Sequence, residues 1–182
     1  GIFPELHAER PELQLTVAGA EHPRFPGYLA ALRQAFPDRP AIRWEGVVPT
    51  SELQDLFGRA TVVVLPPTAT TGSSSVLCRA ATWGRPVVAS DLAELQALAQ
   101  ESGFRVTFFQ AGDAESLGQA LRRVLDDAEL REEQVRHNLK AVGAAELERT
   151  CQLYVRAFNL SLASRNVASR VVPAPSLVEK VI

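Results

Sequence analysis

The chain has 182 residues, 46% of them hydrophobic, and a formal net charge of −2. This length and ordinary apolar content fit a globular domain with a sizeable core and exclude a disordered, collagenous or fibrous main body. Basic residues are scattered among acids with no basic face or stripe, which argues against nucleic-acid binding, and no apolar run approaches the roughly 18 residues of a membrane span.

Phe3, Leu6 and Ala8 have the spacing of the last turns of an amphipathic helix that Pro11 ends. Leu13 to Val17 reads as a strand turning at Ala18-Gly19, with His22 and Arg24 in the loop beyond it, placed either to touch a ligand or, the commoner case, to face solvent. Tyr28, Leu29, Leu32 and Phe36 recur at helical spacing until Pro37 and Pro40 break the pattern. Ile42 and Trp44 belong to the next strand, which exits through Gly46-Val47-Val48. Ser51 and Gln54 have the capping-box arrangement and predict a short helix to Ala60.

The rest of the chain is organised around Thr61 to Asp91. Thr61 to Leu65 is a β-branched apolar run stopped by Pro66-Pro67, the pattern of a strand buried on both faces. A loop rich in hydroxyls, Thr68 to Ser75, runs into a helical segment, Ser75 to Trp83. Gly84 closes that helix, and Arg85-Pro86 leads into a second buried strand, Val87 to Ser90. Strand, crossover helix and strand make a βαβ unit. In open parallel sheets ligands sit beyond the carboxyl ends of the strands, and the free N–H groups of a helix start suit an anion. The same hydroxyls at Gly72 to Ser75 also fit a plain helix cap.

Asp91, with Glu94 three residues on, predicts a cap for a helix whose buried stripe is Leu92, Leu95 and Leu98, ended by Gly103. Phe104 to Phe109 reads as a strand with Val106 and Phe108 on one face, and Gln110-Ala111-Gly112 as a turn. Asp113 then caps a helix with Leu117, Leu121, Val124 and Leu125 on one side. This alternation predicts an α/β fold: a Rossmann-like parallel sheet with helices on both faces. From Asp127 the pattern is helical only. A charged segment runs to Val142, Gly143 kinks or breaks it, and Ala144 to Ala163 carries Leu147, Cys151, Tyr154, Val155 and Phe158 on a common face. Ser164 to Ile182 has two prolines and no aromatic residue and reads as an extended or disordered tail. The expected organisation is therefore one domain over 1–163, including the helical extension, and a tail over 164–182.

Cys78 and Cys151 fit no zinc or redox spacing and read as buried free thiols, which points to a reducing, cytoplasmic setting. His7 and His137 lack partners at ligand spacing, so no metal is expected, and Trp44 and Trp83 read as packing residues. Neither a nucleophile elbow nor a phosphate-loop lysine is present.

Four stretches, LQLTVAG at Leu13 to Gly19, IRWEGVVPTSELQDLFGRATVVVLPP at Ile42 to Pro67, TGSSSVLCRAATWGRPVVASD to Asp91, and the helix-rich end from Asp113 to Phe158, resemble the nucleotide-sugar-binding half of retaining glycosyltransferases of the two-domain GT-B type, family 4. The resemblance implies one half of a GT-B fold that binds a UDP-, GDP- or ADP-hexose without a metal. It places the donor diphosphate at Gly72, Ser73, Ser74 and Ser75, the sugar or ribose near Thr71 and Arg79, and the base near Gly46 and Val47. In that family Thr71 and Arg79 are glutamates eight positions apart. Thr71 can still hydrogen-bond a sugar, whereas Arg79 offers donors only. Gly72 keeps the family's glycine.

The resemblance also implies a preceding Arg- and Lys-bearing loop and an amino-terminal acceptor half. The chain starts at Gly1-Ile2-Phe3 and contains no Met, so it is expected to be a piece of a longer protein and inactive alone. The leading expectation is a donor-binding domain of a hexosyltransferase with an unknown acceptor. The alternative is a catalytically inactive relative acting as a structural or interaction module. In either case the carboxyl-terminal helices expose an apolar strip and are expected to self-associate.

Overall fold

In the computed structural model the residues described are 2–21, 26–36, 41–69, 74–144, 154–156 and 158–160. Contacts divide the chain into Gly1–Val142, which holds all the described strands, and Gly143–Ile182. The first unit runs α1 (Phe3–Glu9), β1 (Leu15–Ala18), α2 (Tyr28–Ala35), β2 (Ile42–Gly46), a single 3₁₀ turn (Thr50–Glu52), α3 (Leu53–Arg59) and β3 (Val63–Leu65). It continues with α4 (Ser75–Thr82), β4 (Val87–Ser90), α5 (Ala93–Ser102), β5 (Thr107–Phe109), α6 (Ala114–Asp126) and α7 (Ala128–Ala144).

All strand pairs are parallel, as β1-β2 and as β3-β4-β5. Parallel neighbours need crossovers, and the helices between strands supply them. Side chains of successive strand residues go to opposite faces. Val63, Leu65, Val87, Ala89, Val106 and Phe108 therefore pack with Phe57, Leu77, Ala80, Leu95 and Ala99 from α3, α4 and α5. Val62, Val64, Val88 and Phe109 pack instead with Leu6 of α1 and with Ala120, Leu121 and Val124 of α6. The sheet is thus covered by helices on both faces. Leu13, just ahead of β1, joins the second cluster.

β4 is buried throughout, as its unbroken apolar run requires. β3 is only half-buried, contrary to the expectation of two covered faces, because it is an edge strand of its hydrogen-bonded sheet. Trp83 packs on Phe57 with ring centroids 4.7 Å apart and joins the first cluster, and the Arg33 guanidinium lies 5.3 Å from the centre of the Trp44 ring. Cys78 is half-buried rather than buried.

Helix ends separate local from tertiary causes. Asp113 caps α6 as its sequence implies, its carboxylate accepting from the N–H groups of Glu115 (2.8 Å) and Ser116 (3.1 Å). The capping box at Ser51 and Gln54 does not form. Ser51 lies inside the 3₁₀ turn, and Glu52 stands at the cap position of α3 with no side-chain cap bond. Asp91 does not cap α5 either, where Leu92 takes that place. α7 runs through Gly143 to Ala144, and the residues that follow, 145–150, lie outside the described residues.

α7 crosses the amino ends of β4 and β5 and is fastened there by two buried amides one turn apart. The Gln134 carbonyl accepts from Val87 N–H (3.1 Å) and its amide group donates to the Thr107 hydroxyl (2.7 Å). Asn138 accepts from Arg105 N–H (2.7 Å) and donates to Arg105 C=O (3.0 Å). Residues 154–156 and 158–160 of the second unit are helical, with Tyr154 and Phe158 exposed and their rings 6.5 Å apart. Residues 164–182, where the tail was expected, lie outside the described residues.

α1 is tied to α6 by ion pairs. The Arg122 guanidinium donates to both carboxylate oxygens of Glu9, its shortest bond being 2.6 Å, and Arg10 pairs with Asp126. The bond from Arg122 holds the Glu9 carboxyl below the usual glutamate range. A carboxyl depressed in the folded state stabilises fully above its unfolded value, and that contribution disappears as pH falls through the folded value. Melting temperature is therefore expected to decline on acidification, with a shallower decline in Arg122→Gln. Identical slopes would show that the pair contributes nothing.

Candidate functional site

The carboxyl ends of the strands carry the starts of α2, α3, α4, α5 and α6, and each start leaves N–H groups without helical partners. Most of these starts hold a carboxylate. The Glu21 carboxylate, in the loop after β1, accepts from Leu29 N–H at 2.9 Å, and the N–H groups of Gly27, Leu29 and Tyr28 pull its pKa down. α3 has Asp55 and α5 has Glu94 in the first turn, and α6 has both Glu115 and the cap at Asp113.

α4 differs. Its first turn has no acidic residue, and its cap is the neutral Ser74, whose hydroxyl accepts from Leu77 N–H at 3.2 Å. Cys78 N–H bonds to Ser74 C=O. The N–H groups of Ser75 and Val76 have no partner among the described residues. A helix start carries about half a positive charge, which a neutral cap leaves uncompensated.

Leu77, Ala80 and Ala81 bury one side of α4, while Ser75, Arg79 and Thr82 recur on its exposed side. Helical side chains lean toward the amino end, so Arg79 lies over the turn that begins at Ser75. No ion pair or hydrogen bond engages the Arg79 side chain among the described residues. The structure thus brings Ser74, Ser75 and Arg79 together on one helix. Thr71, Gly72 and Ser73 lie outside the described residues.

Gly46 and Val47 stand at the carboxyl end of β2. Gly46 adopts φ +64°, a left-handed conformation that glycine adopts without a Cβ clash, and its C=O accepts from Gly19 N–H at 2.6 Å, joining the ends of β1 and β2. Val47 is 74% exposed there. No group of three or more His, Cys, Asp or Glu side chains converges among the described residues. No described helix is long and apolar enough to cross a membrane.

The Glu21 cap was not legible in the sequence, because Glu21 and Leu29 are separated by 8 positions, a spacing that no local capping pattern uses. The same holds for Ser90 and Asp91 at the end of β4. Ser90 donates to Pro67 C=O at 2.8 Å, and the Asp91 carboxylate accepts from Ala111 N–H at 2.8 Å.

A parallel α/β sheet with an anion-compatible helix start at its carboxyl edge defines a Rossmann-like domain of the kind found in GT-B proteins. HepE from Anabaena, solved with UDP and glucose, matches with TM-score 0.72 and 16% identity over 87% of this chain and 43% of its own. Sucrose-phosphate synthase from Thermosynechococcus elongatus matches with TM-score 0.67 and 22% identity over 86% of this chain and 41% of its own. The carboxyl-terminal domain of the group 1 glycosyl transferase LpcC from Francisella tularensis matches with TM-score 0.65 and 15% identity, covering 76% of this chain and 72% of that domain. This chain spans less than half the length of HepE and of the synthase. No curated protein sequence matches it. Residues 2–127 match the family described as glycosyl transferases group 1, and the chain belongs to that family.

Proposed function

We propose that this chain is the donor-binding half of a retaining glycosyltransferase, seating the diphosphate of a nucleotide-hexose at the start of α4. The observation that carries the reading is the absence, among the described residues, of any carboxylate at that helix start, where the starts of α5 and α6, which follow β4 and β5 of the same sheet, carry their own. Ser75 and Val76 N–H groups and the Ser74 and Ser75 hydroxyls would face the phosphates, together with Gly72 and Ser73. Arg79 would add a cation, Thr71 would hydrogen-bond the sugar, and Gly46 and Val47 would border the base. HepE, a structural neighbour, was solved with UDP and with UDP-glucose, which supports a uridine nucleotide as the first ligand to try.

Chemically, transfer requires stabilising a departing nucleoside diphosphate. Backbone donors and a guanidinium already in place can do so without a metal and with little reorganisation. The acceptor site would belong to a separate amino-terminal half.

The test is calorimetric titration with UDP, GDP and ADP on the wild-type chain and on Ser75→Asp. A carboxylate at the first position of α4 favours the helix by about 0.3–1 kcal/mol while repelling phosphate. Melting temperature should therefore hold or rise while nucleotide affinity falls at least about tenfold, the effect of about 1.4 kcal/mol. Unchanged affinity in Ser75→Asp would remove α4 from the site. A second reading, an interaction module without catalysis, is favoured by Thr71 and Arg79, which stand where the resemblance has glutamates. Such a module would be indifferent to all three nucleotides.

A further inference from the structure

We infer that Ser90 is a positioning residue for the donor site, bracing the connection that delivers the chain to α4, with Asp91 extending the brace to the neighbouring loop. The inference rests on the reading proposed above.

β4 is the central strand of β3-β4-β5, and its Val87, Val88 and Ala89 are wholly buried and apolar. Ser90 is equally buried, so its hydroxyl is costly there unless it is bonded. It bonds forward of the sheet. The last β3–β4 pair is Leu65 with Ala89, and the Ser90 hydroxyl donates at 2.8 Å to the C=O of Pro67, two residues beyond that pair. This side-chain bond continues the strand pairing past the point where the backbone ladder stops. Both residues that follow β3 are prolines: Pro66 and Pro67 donate no N–H, so the ladder could not itself be extended through them.

The next residue ties the other flank. Asp91 N–H donates to Phe109 C=O at 2.8 Å, and the Asp91 carboxylate accepts from Ala111 N–H at 2.8 Å. Gln96 donates from its side chain to Asp91 C=O at 3.1 Å, which holds Asp91 against α5. The loops after β3 and β5 meet above β4: a Cβ built on Gly112 would lie 4.0 Å from the Thr68 methyl. Ser90 and Asp91 thus join three strand ends at the edge where α4 begins. One end of the β3–α4 connection is fixed at Pro67 by Ser90, and the other at Ser74 by its cap bond to Leu77. A binding constellation held this way loses less freedom when the ligand arrives, and small displacements of its support weaken it disproportionately.

The experiment compares Ser90→Ala, Ser90→Thr and Val88→Ala with wild type in the full chain, by UDP titration, melting temperature and amide exchange at Leu77. Val88→Ala alters the same strand but removes only packing. The expected results are a UDP affinity about tenfold weaker in Ser90→Ala, recovered in the hydroxyl-bearing Ser90→Thr, and Leu77 exchange several-fold faster in Ser90→Ala. Val88→Ala should melt lower than Ser90→Ala yet bind UDP as wild type does. Unchanged Leu77 exchange in Ser90→Ala overturns the brace, as does a loss of affinity that simply follows melting temperature across the variants. Absence of UDP binding in wild type with faster Leu77 exchange in Ser90→Ala would overturn the donor-site reading and retain the brace. The two failures are thereby distinguishable.

Discussion

Asn138→Ala is expected to cost about 2–6 kcal/mol, from two orphaned backbone groups at about 1–3 kcal/mol each. The Asn138 side chain is wholly buried in α7 and satisfies both the N–H and the C=O of Arg105, at 2.7 and 3.0 Å. Alanine leaves those part-buried groups without a protein partner and opens a void beside them. At about 2–4 °C per kcal/mol for a chain of this size, the melting temperature should fall by on the order of 10 °C. Lys140→Ala, on the exposed side of the same helix, should stay within about 0.5 kcal/mol. Asn138→Asp separates the two bonds: an ionised aspartate still accepts from Arg105 N–H but opposes its carbonyl, so that variant should be worse at neutral pH than under mildly acidic conditions. Chemical denaturation of the three variants checks this, and a loss below about 1 kcal/mol in Asn138→Ala would show that water replaces the amide. α7 thereby anchors the amino ends of β4 and β5, the edge opposite the proposed site.

Replacement of Gly84 should give a graded loss, smallest for Asn, about 1–2 kcal/mol for Ala and about 3 kcal/mol for Val, because only glycine enters the left-handed region without a Cβ clash and Asn tolerates it best. Gly84 has φ +62° and ends α4 in a Schellman turn, in which Arg85 N–H bonds to Ala80 C=O at 2.8 Å and Gly84 N–H to Ala81 C=O at 3.2 Å. A Cβ there would also stand 3.4 Å from side-chain atoms of Leu139 and Val135 on α7. The turn sends the chain through Pro86, whose C=O accepts from Val63 N–H at 2.9 Å, directly into β4. Denaturant midpoints for the three variants check the order; equal losses for Asn and Val would mean that the contact with α7, and not the backbone conformation, sets the cost.

The Gly84 to Val88 run is the piece of the family pattern that this structure explains most fully. Its glycine is a helix stop, its proline begins the buried strand, and its two valines divide between the two cores, Val87 to one and Val88 to the other. The pattern is therefore first a folding instruction for the crossover, and it remains intact although the glutamates at Thr71 and Arg79 are absent. Retention of the fold is accordingly compatible with both functional readings, and nucleotide titration decides between them.

Sequence by itself determined what depends on neighbours within a turn or a strand. Alternating burial at Val106 and Phe108 against Phe109, the stop at Gly103, the cap at Asp113 and the closure at Gly84 follow from side-chain period and backbone conformation, which are local properties. Tertiary structure alone decided the rest, because the competing partner comes from elsewhere in the chain. The Ser51 box yields to a 3₁₀ turn, Asp91 turns from α5 to Ala111, Glu21 reaches over its loop to α2, and Gln134 and Asn138 become buried only because strand ends lie beneath them. The candidate site divides in the same way: the hydroxyl-rich helix start is visible in the sequence, whereas its standing beside the carboxylate-bearing starts of α5 and α6 depends on the pairing of β3, β4 and β5.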